Sequence, residues 1–258
     1  MPNILVIDVG NTSTTLGIFC ERGIVRVIRH PTHEPAGISS AARRAAGRSQ
    51  LDGAVLGSVV PGVNAAWQRM LLSVYGVAPL MVHHRLKMNV KLDYPRPETI
   101  GADRIANAVA AWDKFHRAVI VADFGTALTF DVINSRGAYI GGVIAPGLPL
   151  MLDYLSERTA MLPHISLEGP CGAIGRTTRE AMRIGALIGY RGMVREIFQH
   201  VRSSVPDERQ AVFCATGGHA ERAIDGLGLT VELDQNLTLT GLGLLYQMNL
   251  QSSKGAKP

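Results

Sequence analysis

Cysteine is scarce: the 258-residue chain has three, Cys20, Cys171 and Cys214, none at C-x-x-C spacing. That excludes a disulfide framework and a thiolate zinc cluster, and it fits a reducing cytoplasm. No apolar run approaches the roughly 20 residues that a membrane helix needs. The first residues, NILVIDVG, read as a strand, where a secretion signal would have a basic segment before a long apolar one. Aromatic residues are also few, 5%, and the net charge of +5 is mild and scattered. A local excess at Arg26, Arg29, Arg43, Arg44 and Arg48 is not interleaved with aromatics, so nucleic-acid binding is not expected. The common nucleotide signatures are missing as well. There is no G-x-x-x-x-G-K-[ST] and no G-x-G-x-x-G after a strand, which removes the P-loop and Rossmann readings. HEP at His33–Pro35 lacks the second histidine of a helical zinc site.

What is present is a repeated pattern. ILVIDV (Ile4–Val9), LGIF (Leu16–Phe19) and IVRVIR (Ile24–Arg29) are short apolar, β-branched runs parted by turn residues, an antiparallel meander. Helices are expected near Ala36–Ala46 and Val63–Tyr75, with a strand AVLGSVV between them. After the Pro-containing loop KLDYPRPETIGADR comes a helix with Ile105, Val109 and Trp112 on one face. The pattern then restarts. AVIVADFGTALTFDVI (Ala118–Ile133) is again a strand ending in Asp-x-Gly, a hydroxyl residue and a second strand, and GAYIGGVIAPG continues the meander. A long helix is expected at Thr178–Val201, started by a Thr177/Glu180 capping box. Its apolar residues lie on most faces, which points to burial in the core or against another subunit. A strand AVFCATGG, with Cys214 buried in it, and a helix over Thr238–Leu250 complete the chain. The reading is α/β, two domains with mixed sheets flanked by helices, divided as 1–116 and 117–258.

The turn residues carry the chemistry. In DVGNTSTTLGIF the bend needs only Gly10 or Asn11, because both tolerate tight-turn angles. Asp8, Thr12, Ser13, Thr14 and Thr15 are surplus to it. Backbone N–H groups of such a turn, with hydroxyls beside them, can surround phosphate oxygens. A carboxylate repels phosphate, so Asp8 and its counterpart Asp123 would each hold a cation that screens it. The repeat suggests two such hairpins facing one ligand across a cleft.

The paired Asp-x-Gly hairpins resemble those of the acetate kinase/sugar kinase/actin superfamily. More narrowly, the chain resembles type III pantothenate kinases over nearly its whole length, through DVGNTSTTLGIF, GADR, DFGTALTFD, GGVIAPG, GRTTREAM and ATGG in that order. The resemblance implies two actin-like (ribonuclease H-like) domains with a cleft between them. It also implies ATP-dependent phosphorylation of pantothenate to 4'-phosphopantothenate, the first step toward coenzyme A. It assigns Asp8, Val9, Gly10, Asn11, Thr12, Ser13, Thr14 and Thr15 to the ATP phosphates, with Thr126 also on ATP. Asp123 would take a monovalent cation (K+ or NH4+), and Asp8 the Mg2+ that accompanies ATP, through water. Ser13 and Thr14 stand where the family often reads NTNT, a small departure.

GADR (Gly101–Arg104) opens a helix. There Asp103 could merely complement the helix dipole while Arg104 pairs with a surface acid. It could equally be a general base for an alcohol, with Arg104 gripping a carboxylate through two parallel hydrogen bonds. The resemblance selects the second reading, with Asp103 as catalytic base and Gly101, Ala102, Asp103 and Arg104 on pantothenate. Tyr94 and Thr178 match further substrate contacts, although judged from the sequence alone packing and helix capping are the better accounts of them. Gly217 and Gly218 of ATGG would let backbone approach the adenosine, or form a plain turn. The family implies a cytoplasmic homodimer. The alternatives are a non-catalytic accessory member of the family, or a kinase for another small hydroxy acid.

Overall fold

A strand with neighbours on both edges and helices on both faces can be apolar throughout. The opening run forms such a strand, β1 (Ile4–Val9). Ile4, Leu5, Val6 and Ile7 are fully buried, each worth roughly 1.5–3 kcal/mol relative to exposure. In the computed structural model, which describes residues 2–169, 172–204 and 211–254, β1 continues into β2 (Ser13–Cys20) and β3 (Gly23–Pro31) as an antiparallel meander. A short 3-10 turn leads into α1 (Ile38–Ala46), and β4 (Gly53–Ser58) returns parallel to β1. The helix α2 (Pro61–Tyr75) has proline in its first turn and ends on Gly76 at φ +66. Two short strands, β5 (Leu80–Met81) and β6 (Lys91–Leu92), precede α3 (Ala102–Phe115). The sheet order is β3-β2-β1-β4-β5.

The chain then repeats itself. β7 (Val119–Phe124), β8 (Ala127–Ile133) and β9 (Ala138–Pro146) form a second meander. After α4 (Leu148–Arg158) and α5 (Thr178–Ser204), β10 (Val212–Thr216) returns parallel to β7, as β4 does to β1. Cys214 is fully buried in β10, as expected, and Cys171 lies outside the described residues. The short helix α6 (Ala220–Ile224) leads to β11 (Glu232–Leu233), and α7 (Leu237–Lys254) closes the chain. These strands run β9-β8-β7-β10-β11, the order of the first sheet.

The chain forms two compact units built from interleaved segments. One unit holds the chain to His116 together with Gly137–Ile140 and the segment from Asn236; the other holds Arg117–Arg136 and Gly141–Gln235. The last helix joins the first unit because its small residues let it press close there. Gly243 lies against the Phe19 ring and Gly241 against the Ala106 carbonyl, while Leu239 and Leu242 fill the space at Gly17 and Gly57. With α3 it covers one face of the first sheet. On the core side, Trp67, Met70 and Leu71 of α2 join Leu5, Ile7, Leu16 and Ile18.

In the second unit α5 is buried along one side. Met182, Ala186, Tyr190, Val194 and Phe198 form one buried stripe at four-residue spacing. Phe198 stacks on Phe213 at 4.1 Å. The other side of the helix is open: Ile188 is 57% exposed, and nothing stands within 4 Å of a methyl group built on Gly185, Gly189 or Gly192. The capping box forms with one change. Thr177 Oγ1 accepts from the Glu180 N–H at 3.2 Å, but the Glu180 carboxylate accepts from the Arg176 N–H at 2.7 Å instead of from Thr177.

Candidate active site

In the first unit, Asp8 is the next-to-last residue of β1, half-buried, between Thr15 on β2 and Gly57 on β4. Val9 is fully buried, so it can offer a ligand only its backbone. The turn closes when the Gly10 N–H donates to the Ser13 carbonyl at 3.1 Å. Asn11, Thr12 and Ser13 then stand exposed at the tip, and Thr15 is half-buried. Thr14 turns the other way. It is fully buried, with its hydroxyl 3.0 Å from that of Thr32. Strand alternation sends its side chain inward, so only its backbone faces the turn.

Gly101 caps α3 with extended backbone, which places Asp103 in the first helical turn. The Arg104 N–H donates to Asp103 Oδ1 at 2.8 Å. A methyl group at Gly101 would collide with that same oxygen, so glycine is what leaves room for the carboxylate. Burial pushes the Asp103 carboxyl above the usual range, and the Arg104 N–H and its charge oppose this only in part. The motif sits beside the first hairpin. The Val59 N–H donates to the Val9 carbonyl at 3.1 Å, and a methyl at Gly101 would touch Val59 Cγ1 at 3.4 Å. Val59 thus bridges the hairpin strand to GADR at the carboxyl ends of the parallel strands β1 and β4, where α/β sheets place their ligands. Ala102 is buried and contributes packing.

Tyr94 and Arg104 meet through a residue that sequence reading missed. The ring of Tyr139, fully buried at the start of β9, meets Tyr94 edge to face at 6.1 Å. The Arg104 guanidinium lies 5.8 Å from the centre of the same ring, within cation–π range. Pairing of β6 with β9 sets Leu92 opposite Tyr139, and the Asp93 N–H donates to the Tyr139 carbonyl at 2.9 Å. These contacts span 35 and 45 positions of sequence, so no local pattern announces them.

The second unit builds the matching turn. Asp123 is again next to last in its strand, and the Gly125 N–H donates to the Ala127 carbonyl at 3.1 Å. The Thr126 carbonyl accepts from the Gly147 N–H at 3.1 Å, which joins the end of GGVIAPG to this turn. ATGG closes on it too. The His219 N–H donates to the Phe124 carbonyl at 3.1 Å, and a methyl on Gly217, where φ is +95, would stand 2.5 Å from Asp123 Oδ1. Gly218 is exposed beside them. Tyr190, another residue the sequence did not single out, is 1% exposed, and its hydroxyl has no hydrogen bond of ordinary length among the described residues. Burial pushes its phenol well above the usual range, opposed in part by hydrogen bonding to the Leu148 backbone and aided by the nearby Asp123 charge. The Asp123 carboxylate and this buried hydroxyl offer oxygen only, the ligand type that suits a hard cation. No cluster of three His, Cys, Asp or Glu side chains that could hold a metal occurs among the described residues. Thr178 is exposed in the first turn of α5.

Among solved structures, a ROK family glucokinase from Streptomyces griseus in complex with glucose and AMPPNP superposes with a TM-score of 0.57 at 14% identity, covering 96% of this chain and 99% of its own. MreB 5 of Spiroplasma citri bound to AMPPNP gives 0.55 at 10% identity, covering 100% and 99%. At such identities these likenesses establish the fold alone, that of the actin-like ATPases and sugar kinases. Sequence is more specific. A relative from Geobacter sulfurreducens named type III pantothenate kinase is 36% identical over 254 residues, 95% of this chain and 99% of its own. One of the same name from Bacillus cytotoxicus is 35% identical over 262 residues, 98% and 99%. Residues 4–200 match the sequence model of the same family, and they include both hairpins, GADR and GRTTREAM. The chain belongs to the type III pantothenate kinase family.

Proposed function

We propose that the chain transfers the γ-phosphoryl group of ATP to the primary hydroxyl of pantothenate, giving 4'-phosphopantothenate and ADP, the first step toward coenzyme A. The observation that supports this reading is the join through Val59, which brings the helix start that bears Asp103 and Arg104 beside the first hairpin. Pantothenate has an alcohol and a carboxylate, so one helix start can serve both. Arg104 binds the carboxylate. Asp103 takes the hydroxyl proton as the new O–P bond forms and the bond to the leaving ADP oxygen breaks. Its raised pKa brings a carboxylate closer to the range where a base works at neutral pH.

Tyr94, Gly101, Ala102 and Thr178 are assigned to pantothenate. The turn of Asp8–Thr15, with Thr126, Gly217 and Gly218, is assigned to ATP; Val9 and Thr14 act there through backbone. Asp8 would hold Mg2+ through water. Asp123, with the Tyr190 hydroxyl near it, would hold a monovalent cation, K+ or NH4+. Such ions, when bound, screen the triphosphate charge. We assign the reaction to the cytoplasm, in keeping with the few cysteines. We further assign a homodimer, supported by apolar side chains left open on the second unit: Ile144, Tyr154, Met161, Ile174 and Ile188 are each more than half exposed. A groove between α4 and α5, lined by Met151, Leu155 and Met182, lies in the same unit.

The test is ADP release by purified protein with ATP, Mg2+ and K+, with and without pantothenate. Release that depends on pantothenate is expected. Release that is indifferent to pantothenate but stimulated by another hydroxy acid would replace the substrate, and none with any alcohol would leave an accessory protein.

A further inference from the structure

Thr32 follows the last residue of β3, 2% exposed, in a segment whose neighbouring side chains point to solvent. It makes three hydrogen bonds, all to the first hairpin. Its N–H donates to the Thr12 carbonyl at 3.1 Å. Its hydroxyl donates to the Gly10 carbonyl at 2.7 Å. Its oxygen lies 3.0 Å from that of Thr14. A hydroxyl has one proton, and a carbonyl can only accept. The Thr32 proton is therefore spent on Gly10, and the bond between the two threonines must run from the Thr14 hydroxyl to Thr32 Oγ1. The chain of donors is fixed: Thr14 to Thr32 to Gly10.

This relay sets the turn's orientation. The Gly10 N–H is already committed to Ser13, so with its carbonyl held by Thr32 both polar atoms of Gly10 are tied down. All described peptides are trans, so the Asn11 N–H points opposite to the Gly10 carbonyl, away from buried Thr32. Without the hydroxyl, the buried Thr14 hydroxyl and the half-buried Gly10 carbonyl would both lose their partner. Rotating the Gly10–Asn11 peptide would be the obvious relief, and it would re-aim the Asn11 N–H.

We infer that Thr32 is a positioning residue for nucleotide binding: through Thr14 and Gly10 it holds the first phosphate turn in its binding shape without touching the nucleotide. The inference rests on the assignment of that turn to ATP under the proposed function.

The test compares Thr32→Val, Thr32→Cys and Thr32→Ser with the unmodified full-length chain, in KM for ATP, KM for pantothenate and kcat. Affinity for a non-hydrolysable ATP analogue is measured by calorimetry alongside. Serine keeps the donor, cysteine keeps a weak one, and valine keeps the shape with none. ATP-analogue affinity and KM for ATP should be near unchanged for Ser, intermediate for Cys, and weakened about tenfold for Val, the loss from one or two net hydrogen bonds. KM for pantothenate should stay within about twofold throughout, a split that general loosening of the fold would not produce. If valine does not fold, the serine–cysteine difference carries the comparison. Equal ATP affinity across the folded variants overturns the inference, as does a parallel rise in both KM values. An unmodified chain that binds the analogue yet phosphorylates no pantothenate sinks the substrate assignment alone, because the calorimetric series still reports on Thr32. A chain that binds no analogue overturns both.

Discussion

Asp103→Asn separates the two roles that a first-turn carboxylate can play. The substitution keeps the size of the side chain and an oxygen to accept the Arg104 N–H, now 2.8 Å away, so the geometry beside Gly101 need not change. What goes is the ability to take a proton. Loss of a general base costs roughly 10²–10⁴ in turnover, which is about 2.7–5.4 kcal/mol at 1.36 kcal/mol per decade. Stability should move the other way. Burial raises the folded-state pKa of Asp103 above its unfolded value. The folded chain therefore holds this proton more tightly, so stability is greatest in acid and declines as pH rises from the unfolded pKa to the folded one. Near neutrality the ionised carboxylate costs stability, and asparagine removes that cost. A pantothenate-coupled ADP assay and a thermal melt at pH 7 read both effects: kcat should fall by the stated range while the melting temperature stays level or rises. A carboxylate that only served the helix dipole would show the opposite, a lower melting temperature with turnover retained, and that result would refute the reasoning. In the unmodified enzyme the acidic limb of kcat/KM should lie above the ordinary aspartate range, and the limb should be absent from the residual activity of the variant.

Three further substitutions probe the surroundings. Arg104→Lys exchanges a planar fork for a point charge and should raise KM for pantothenate roughly tenfold or more, with KM for ATP little changed in initial-rate kinetics. Tyr139→Leu removes the ring that both Tyr94 and Arg104 contact, and should raise the same constant, whereas Tyr139→Phe, which keeps the ring, should restore most of it. Gly217→Ala forces a methyl to 2.5 Å from Asp123 Oδ1 and 2.7 Å from the Phe124 nitrogen at φ +95. It should cost about 1–3 kcal/mol in a denaturant melt and weaken activation by K+ in a titration of rate against cation.

Much of the architecture was legible because it rests on local patterns. β1 coincides with the predicted Ile4–Val9, and the repeated Asp-x-Gly turns announced the duplicated sheet order. Other parts had no such signal. The two-residue strands β5, β6 and β11 are too short to show a period. α4 follows directly on the GGVIAPG strand, and Pro149 in its first turn reads from sequence as more loop although proline is welcome there. α7 shows its helix in sequence, but nothing local tells which unit it will cover. In the candidate site, Asp103 and Arg104 carried a motif of their own. Thr32, Tyr139 and Tyr190 did not, since each acts through partners that the fold brings from far along the chain. Nor does a count of hydroxyls in the turn show that the two-residue alternation of the strand buries the Thr14 side chain and leaves that residue only its backbone to offer.

The most direct measurement is a crystal structure with pantothenate and a non-hydrolysable ATP analogue bound. The account predicts an Asp103 carboxylate oxygen at about 2.6–3.2 Å from the primary hydroxyl of pantothenate, hydrogen-bond reach for a base, with the substrate carboxylate on Arg104. Pantothenate bound with its hydroxyl against another acidic group, or with Asp103 facing only the backbone of its own helix, would contradict it.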